Sequence, residues 1–528
     1  MYKKVVSFSL FFVFTLTVVC GQDMSVIPLP NHYKKVNQTI KISDRTGIAV
    51  EDNSFLPEAY FFRNQLLRYT GIPIKSGKSS SSMIILQKKE MPEPGEGSYA
   101  IQMSSDKIVI SAADHKGIFN GLISLLQLSL HSQNNDNSLL IPCWDIQDFP
   151  LYAWRGLMLD ESRHFFGKKV VEEILDEMAL LKLNRFHWHL TDAPGWRVQI
   201  QRYPKLALVG GIGDYSDSLA PAMYYTQDEI REIVAYAKAR HIEIIPEIDM
   251  PGHATAANRA YPEFSGGGTG KFADFTFNPG KTGTYTLLTD ILKEIAVLFP
   301  SGIVHLGGDE VSFGSKSWED DVGVKQLMNQ ERLKDLKDVE YYFFKRMTDS
   351  SLQTFSAIGA WDEATDAHLP TDHTIIFWWR HDKPEQLKKA LVKGFNVVLC
   401  PRIPLYFDFV QDSTDMDGRR WKGDFSSLKK VYEFSDNSLP EVSDHREQVI
   451  GIQANLWTET IQTKKRLEYM LFPRITALAE AAWTEEKNRD YTNYLLRLKG
   501  EFPFLRKMGI YFFNPFSPNQ TPEVVDGE

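Results

Sequence analysis

From residue 149 onward the chain alternates short apolar runs with amphipathic ones. The apolar runs predict strands at 155–160, 185–192, 242–249, 303–310, 357–363, 374–380, 397–401 and 450–459. Each ends at Pro, Asp, Glu or Arg, which suits a buried strand whose tip leaves the core. The intervening stretches have helical spacing. Over 168–183, Val170, Val171, Ile174, Leu175, Met178 and Leu181 share one stripe. Thr226 with Glu229 forms a capping box ahead of Ile230, Ile233, Val234 and Ala237. Eight strands with helical crossovers predict an α/β fold, a (β/α)8 TIM barrel over 149–485. A doubly wound open sheet is the competing arrangement, and it is weakened because no Gly-rich phosphate fingerprint follows the first strand.

The pattern is different before residue 149. Residues 84–86, 99–101 and 107–110 are β-rich, Gly/Ser/Pro stretches separate them, and a helical stripe runs over 117–130 through Ile118, Phe119, Leu122, Leu125 and Leu126. These features predict a smaller α+β support domain over 22–148, with no catalytic constellation. The aromatic-rich segment 486–528 is expected to pack on the side of the barrel. Residues 1–21 read as a secretory signal: Lys3 and Lys4, an apolar run to Val19, then Cys20 and Gly21. Cys20 resembles the acylation site of a bacterial lipoprotein, with cleavage near Gly21 as the alternative. The expected location is the periplasm or cell surface, with membrane attachment only through a lipidated Cys20.

Composition narrows the function classes. The 528 residues exceed one ordinary core, and a net charge of −9 offers no basic footprint for nucleic acid. Cys143 and Cys400 lack disulfide or metal spacing and read as core thiols.

In a TIM barrel the active site lies at the C-terminal ends of the strands, and here those ends gather carboxylates and tryptophans. The second strand supplies His187, His189 and Asp192, and the third Glu247, Asp249 and His253. The fourth reaches Gly307-Gly308-Asp309-Glu310 after His305, the paired glycines allowing a close backbone pass. Trp361, Trp378, Trp379, Tyr406, Asp408, Trp457 and Glu459 follow on the later strands and connections. Indole faces cover the apolar faces of a sugar while charged groups hold its hydroxyls, so a carbohydrate site is expected.

The motifs Arg155-Gly-Leu-Met-Leu-Asp160, His187-Trp-His189-Leu-Thr-Asp192, Glu247-Ile-Asp-Met-Pro-Gly-His253, His305-Leu-Gly-Gly-Asp309-Glu310 and Asn455-Leu-Trp457-Thr-Glu459 resemble glycoside hydrolase family 20, the β-N-acetylhexosaminidases. The resemblance implies a retaining, substrate-assisted hydrolysis of terminal N-acetylhexosamine, in which the sugar's own acetamido oxygen displaces the leaving group. It implies Glu310 as general acid and then base, and Asp309 as the group orienting the acetamide. Tyr406 would hold the acetamido oxygen, and Trp361, Trp379 and Trp457 would wall its methyl. Arg155, Asp408 and Glu459 would take ring hydroxyls, while Asp192, Asp249, His253 and His305 support the acids. Asp160 and Arg163 are read as braces of the rim. No cofactor or metal is implied. The sequence departs from the family where a second acid often follows the His-x-His strand, since Ala193 stands there. Two rivals come from other classes: a hydrolase with zinc on His187 and His189, and a non-catalytic glycan-binding protein.

Overall fold

The computed structural model describes residues 24–525 except 78–81, 93–94 and 136, so the leader and Cys20 lie outside the described residues. The eight barrel strands are Trp154–Asp160, Arg185–His189, Glu243–Glu247, Ile303–His305, Ala357–Trp361, Thr374–Trp378, Asn396–Leu399 and Val449–Leu456. All pair in parallel, and the eighth pairs with the first, Ile452 opposite Arg155 and Leu456 opposite Leu159. That pairing closes the barrel and excludes the open sheet.

Most of these strands stop short of the carboxylates the apolar runs led to. The fourth ends at His305, and Leu306 to Glu310 form a turn beyond it. The rim backbone bonds to neighbouring loops there: Asp249 N donates to Thr191 Oγ1 at 3.0 Å. The interior is filled by Trp154, Met158, Ile245, Phe377, Val398 and Cys400, all buried, so the barrel is a packed core with its opening confined to the rim. Outside it, the helix Lys168–Leu180 buries Val171, Ile174, Leu175 and Met178, each contributing roughly 1.5–3 kcal/mol of apolar burial. The capping box at Thr226 forms as the sequence predicts.

The N-terminal unit is an eight-stranded mixed sheet whose main path begins with His32–Ile42, Ser138–Asp148, Tyr99–Met103, Lys107–Ala112 and Met83–Lys88. Its helices Leu56–Thr70 and His115–Leu130 pack on each other through Phe61 and Phe119, ring centres 5.1 Å apart. A buried polar knot joins it to the barrel: Lys182 Nζ donates to Tyr99 Oη at 2.9 Å and lies 3.4 Å from Asp148, which also accepts from Trp483 Nε1 at 3.0 Å. Beyond the barrel, the helix Tyr491–Lys507 buries Tyr494, Leu498 and Phe502 and pairs Arg497 with the buried Glu480 at 2.6 Å. Cys143 and Cys400 are buried free thiols.

Candidate active site

The turn after the fourth strand is held by contacts that only glycine allows. Gly307 has φ +68, and a Cβ there would lie 1.8 Å from Asp249 Oδ1. Gly308 has φ +95, and its Cβ would strike the Phe344 ring at 2.6 Å. With both bare, Gly307 N donates to His305 Nδ1 at 3.1 Å and Gly308 N to Asp249 Oδ1 at 3.3 Å. Glu310 itself sits at φ 52 and His253 at φ 54, left-handed positions that cost a non-glycine residue about 1 kcal/mol or more. Strain of this kind collects where side chains are aimed for chemistry.

Asp309 and Glu310 converge on one imidazole. His253 Nε2 lies 3.6 Å from Asp309 Oδ2 and 3.7 Å from Glu310 Oε2, while its Nδ1 is 3.0 Å from Asp192 Oδ1. Asp192 is a node, since its Oδ2 lies 2.9 Å from His189 Nε2 and 2.7 Å from Arg163 Nη2. His189 Nδ1 reaches Glu247 Oε2 at 2.6 Å, and Glu247 Oε1 accepts from Trp361 Nε1 at 2.9 Å. Burial works against charge throughout, yet Arg163 and His253 hold Asp192 well below the usual carboxylate range. The same pairing carries His253 up to about 9, with Asp192 the largest favourable partner. At neutral pH His253 is therefore an imidazolium beside two acids.

Those acids are pushed the other way. Burial raises Asp309 well above its ordinary value, reinforced by Asp249, and burial raises Glu310 against the pull of His253. Asp249 is also raised, by burial and then by Glu247. Asp249 and Asp309 carry carboxylate oxygens within 4.8 Å of each other and of His253. Two carboxylates this close share a proton more readily than both ionise. Asp309, facing the imidazolium, is the member of the pair better placed to be the anion.

Around the acids lies a cavity of about 350 Å³ lined by Trp361, Trp379, Tyr406 and Trp457, at the small end for ligand pockets. Trp379 is parallel to Tyr406 with ring centres 6.2 Å apart, and Trp361 and Trp457 are 5.9 Å apart. Trp379 faces the cavity, its Nε1 donating to Glu363 Oε2 at 3.0 Å, whereas Trp378 is buried behind it. Burial keeps the Tyr406 phenol protonated, hence a donor. Asp408 and Glu459 line the far wall, where burial raises Asp408 to about 7.

Arg155 is a correction. It lies at the start of the first strand, the end opposite the rim, and five residues at about 3.3 Å each separate it from Asp160. Its guanidinium donates to the carbonyls of Lys182 and Tyr152, both at 2.8 Å, and packs over Trp483. Arg163 stands in the cavity in its place, over the Trp457 ring at 4.8 Å. The signal was available, because Arg163 follows the C-terminal end of that strand and Arg155 precedes it. His305 reaches the acids only through the turn that carries them: it accepts from the Gly307 amide at 3.1 Å and pairs with Glu247, without touching Asp309 or Glu310. Sequence reasoning missed His189 as the link to Asp192, and Glu363, Arg402 and Arg419, which distant segments deliver. The His-x-His pair is engaged by Glu247, with His187 Nε2 at 3.0 Å from it. Three acid–imidazole groups among the described residues have donor atoms close enough for a metal ion, so ligand supply does not decide against the zinc rival.

The comparisons with known proteins decide it. The profile "Glycosyl hydrolase family 20, catalytic domain" matches residues 152–486, and that of domain 2 of the same family matches 23–149. The chain belongs to glycosyl hydrolase family 20. It is thus a glycoside hydrolase of the β-N-acetylhexosaminidase type. A β-hexosaminidase of Vibrio furnissii is 32% identical over 86% of this chain and 76% of its own length. The Vibrio harveyi exo-β-N-acetylglucosaminidase, solved with N-acetylglucosamine, superposes with a TM-score of 0.86 at 32% identity, covering 93% of this chain and 79% of that one. The β-N-acetylhexosaminidase of Bacteroides fragilis gives 0.80 at 27% identity, covering 93% and 97%.

Proposed function

We propose that this family 20 hydrolase is exo-acting and releases terminal non-reducing β-linked N-acetylglucosamine or N-acetylgalactosamine with retention, through an oxazolinium intermediate formed by the substrate's acetamide. The observation that carries this is the pair Asp309–Glu310 on one imidazolium, inside an aromatic-walled cavity of single-sugar size. Adjacent acids on the same side cannot divide into a nucleophile and an opposed acid, which ordinary retention places about 5–5.5 Å apart across the anomeric carbon.

In this reading Glu310, its proton affinity raised by burial, gives its proton to the leaving oxygen and later takes one from water. Asp309 accepts from the acetamido N–H and balances charge on the oxazolinium. Tyr406 donates to the acetamido oxygen, and Trp361, Trp379 and Trp457 confine the methyl so that the oxygen faces the anomeric carbon. Arg163, Asp408 and Glu459 hold the remaining hydroxyls. Relatives support the sugar assignment: the Vibrio harveyi enzyme and Streptomyces plicatus β-hexosaminidase variants were solved with N-acetylglucosamine.

A panel of 4-nitrophenyl β-glycosides tests the proposal. Acetamido sugars should be cleaved and plain glucosides left intact. Glu310→Gln should lower kcat by about a thousandfold or more, and a thiazoline analogue of the intermediate should inhibit strongly. Equal cleavage of glucosides, or a glycosyl ester trapped on the enzyme, would overturn it. Residues 1–21 are further proposed to hold an export signal that is cleaved before Cys20, leaving Cys20 lipidated at the start of the mature chain. Mass spectrometry of the mature N-terminus checks this, and an unmodified N-terminus refutes it.

A further inference from the structure

Glu363 is a rim carboxylate to which the reaction above gives no task. It lies two residues past Trp361, in the 3₁₀ turn Asp362–Asp366 that follows the fifth strand. Its side chain is 11% exposed, and each oxygen meets a different residue at the exit of the sixth strand. Oε2 accepts from the Trp379 indole N–H at 3.0 Å, and Oε1 lies 3.4 Å from Arg380 Nη1. Arg380 is drawn closer to Asp362, its Nε donating to Oδ1 at 2.7 Å. The longer contact leaves the charge of Glu363 only partly offset.

A second hollow of about 400 Å³ adjoins the sugar cavity, and Glu310, Glu363 and Trp379 line it. Glu310 and Trp379 line the sugar cavity as well, so the two spaces meet at them. Of these two spaces Glu363 lines only the second. It therefore acts on a bound sugar through Trp379 and Glu310 and does not touch it.

Two effects follow from that placement. A buried indole whose N–H is bonded is fixed in orientation. Trp379 runs parallel to Tyr406 with ring centres 6.2 Å apart, so fixing it sets the gap that the acetyl methyl fills. An anion near Glu310 also opposes ionisation of that acid. Burial first, then Glu363 and Asp192, push the Glu310 carboxyl up, against the pull of His253 and Arg163. Asp309 adjoins Glu310 in the chain. Lys337 and Glu340, from the helix Leu336–Ser351, face the same hollow as a pair, and Arg380 and Lys383 face it from beyond the sixth strand.

We propose that Glu363 is a positioning residue of this hydrolase: it clamps Trp379 against the acetamide pocket and sets its own negative charge beside the general acid. The proposal rests on the reading of the site given above.

Glu363→Gln and Glu363→Leu in the intact enzyme separate the two effects. Glutamine keeps an acceptor for the indole and removes the charge, whereas leucine removes both. On 4-nitrophenyl β-N-acetylglucosaminide, Glu363→Gln should hold KM within about twofold while the basic limb of kcat/KM moves down by roughly half a pH unit. The sign is downward because losing a like charge makes Glu310 easier to ionise. Glu363→Leu should move the limb the same way. It should also raise KM, and weaken a thiazoline inhibitor, by about five- to tenfold, the effect of losing one hydrogen bond. A basic limb that stays in place in the folded variants, or a KM unchanged by Glu363→Leu, would overturn the proposal. A lowered Tm with an unmoved limb would mark Glu363 as a residue of the fold alone. Should the leucine variant fail to fold, the limb of Glu363→Gln decides. If the wild type itself cleaves no acetamido sugar, the underlying reading has failed instead.

Discussion

Asp192→Asn is the substitution that most directly tests the electrostatic design of the site. Asp192 lies 3.0 Å from His253, 2.9 Å from His189 and 2.7 Å from Arg163. Burial alone would make His253 neutral, so its rise from 6.5 to about 9 depends first on Asp192. That displacement corresponds to roughly 3 kcal/mol in favour of the imidazolium. The amide keeps the shape but removes the charge, and His253 then turns neutral near pH 7. Glu310 loses a cation 3.7 Å away. A unit charge at that range is worth about 4 kcal/mol at an effective dielectric of 20, which access of solvent to the partly exposed Glu310 reduces to roughly 1–2 kcal/mol. Since His253 pulls the Glu310 carboxyl down, its neutralisation lets Glu310 titrate higher. The Asp192 charge itself raises Glu310 slightly, so its loss offsets part of this, and the basic limb of the kcat/KM profile on 4-nitrophenyl N-acetylglucosaminide should move up by at most about one pH unit, while kcat falls by about a hundredfold as Asp309 loses its counter-charge. Stability supplies a second readout. A histidine raised in the folded state contributes stability that is complete below its unfolded value near 6.5 and is lost as pH rises through about 9. The Tm gap between wild type and Asp192→Asn should thus be wide at pH 6 and narrower at pH 9.5. A basic limb that stays in place in a folded variant would refute the coupling of Asp192 through His253 to Glu310.

Other perturbations separate roles that the sequence alone confuses. Arg163→Ala should raise KM and lower kcat/KM by about ten- to a hundredfold, whereas Arg155→Met should lower Tm and leave KM unchanged, since Arg155 caps the closed end of the barrel; steady-state kinetics beside thermal melts distinguish them. Gly307→Ala should abolish activity and cost several kcal/mol of stability, about 3 or more, because the added methyl falls on Asp249 while φ stays positive; urea unfolding measures it. Acid should weaken the fold through Asp192: a carboxyl held well below its ordinary value contributes stability above pH ~4 that disappears as pH falls through its folded value. Wild type should then lose more stability than Asp192→Asn below pH 4.

Much of this molecule was already legible along the chain. The period of apolar residues fixed eight strands and their crossovers, because a strand buried on both faces must be apolar at nearly every position, as Thr374–Trp378 is. Gly307-Gly308 before two acids announced a turn under steric constraint, and the added-Cβ contacts with Asp249 and Phe344 give the reason. Strand direction was enough to prefer Arg163, beyond the C-terminal end of Trp154–Asp160, over Arg155 near its start, but only the structure showed what each guanidinium touches. Local pattern could not join Asp192 to His253, or Arg419 to Glu459, since barrel closure sets those neighbours and leaves no trace in spacing. The acidity of Glu310 and the charge on His253 were likewise undetermined until burial and partners were known, because a side chain's proton affinity belongs to its surroundings and those are assembled only when the eighth strand meets the first.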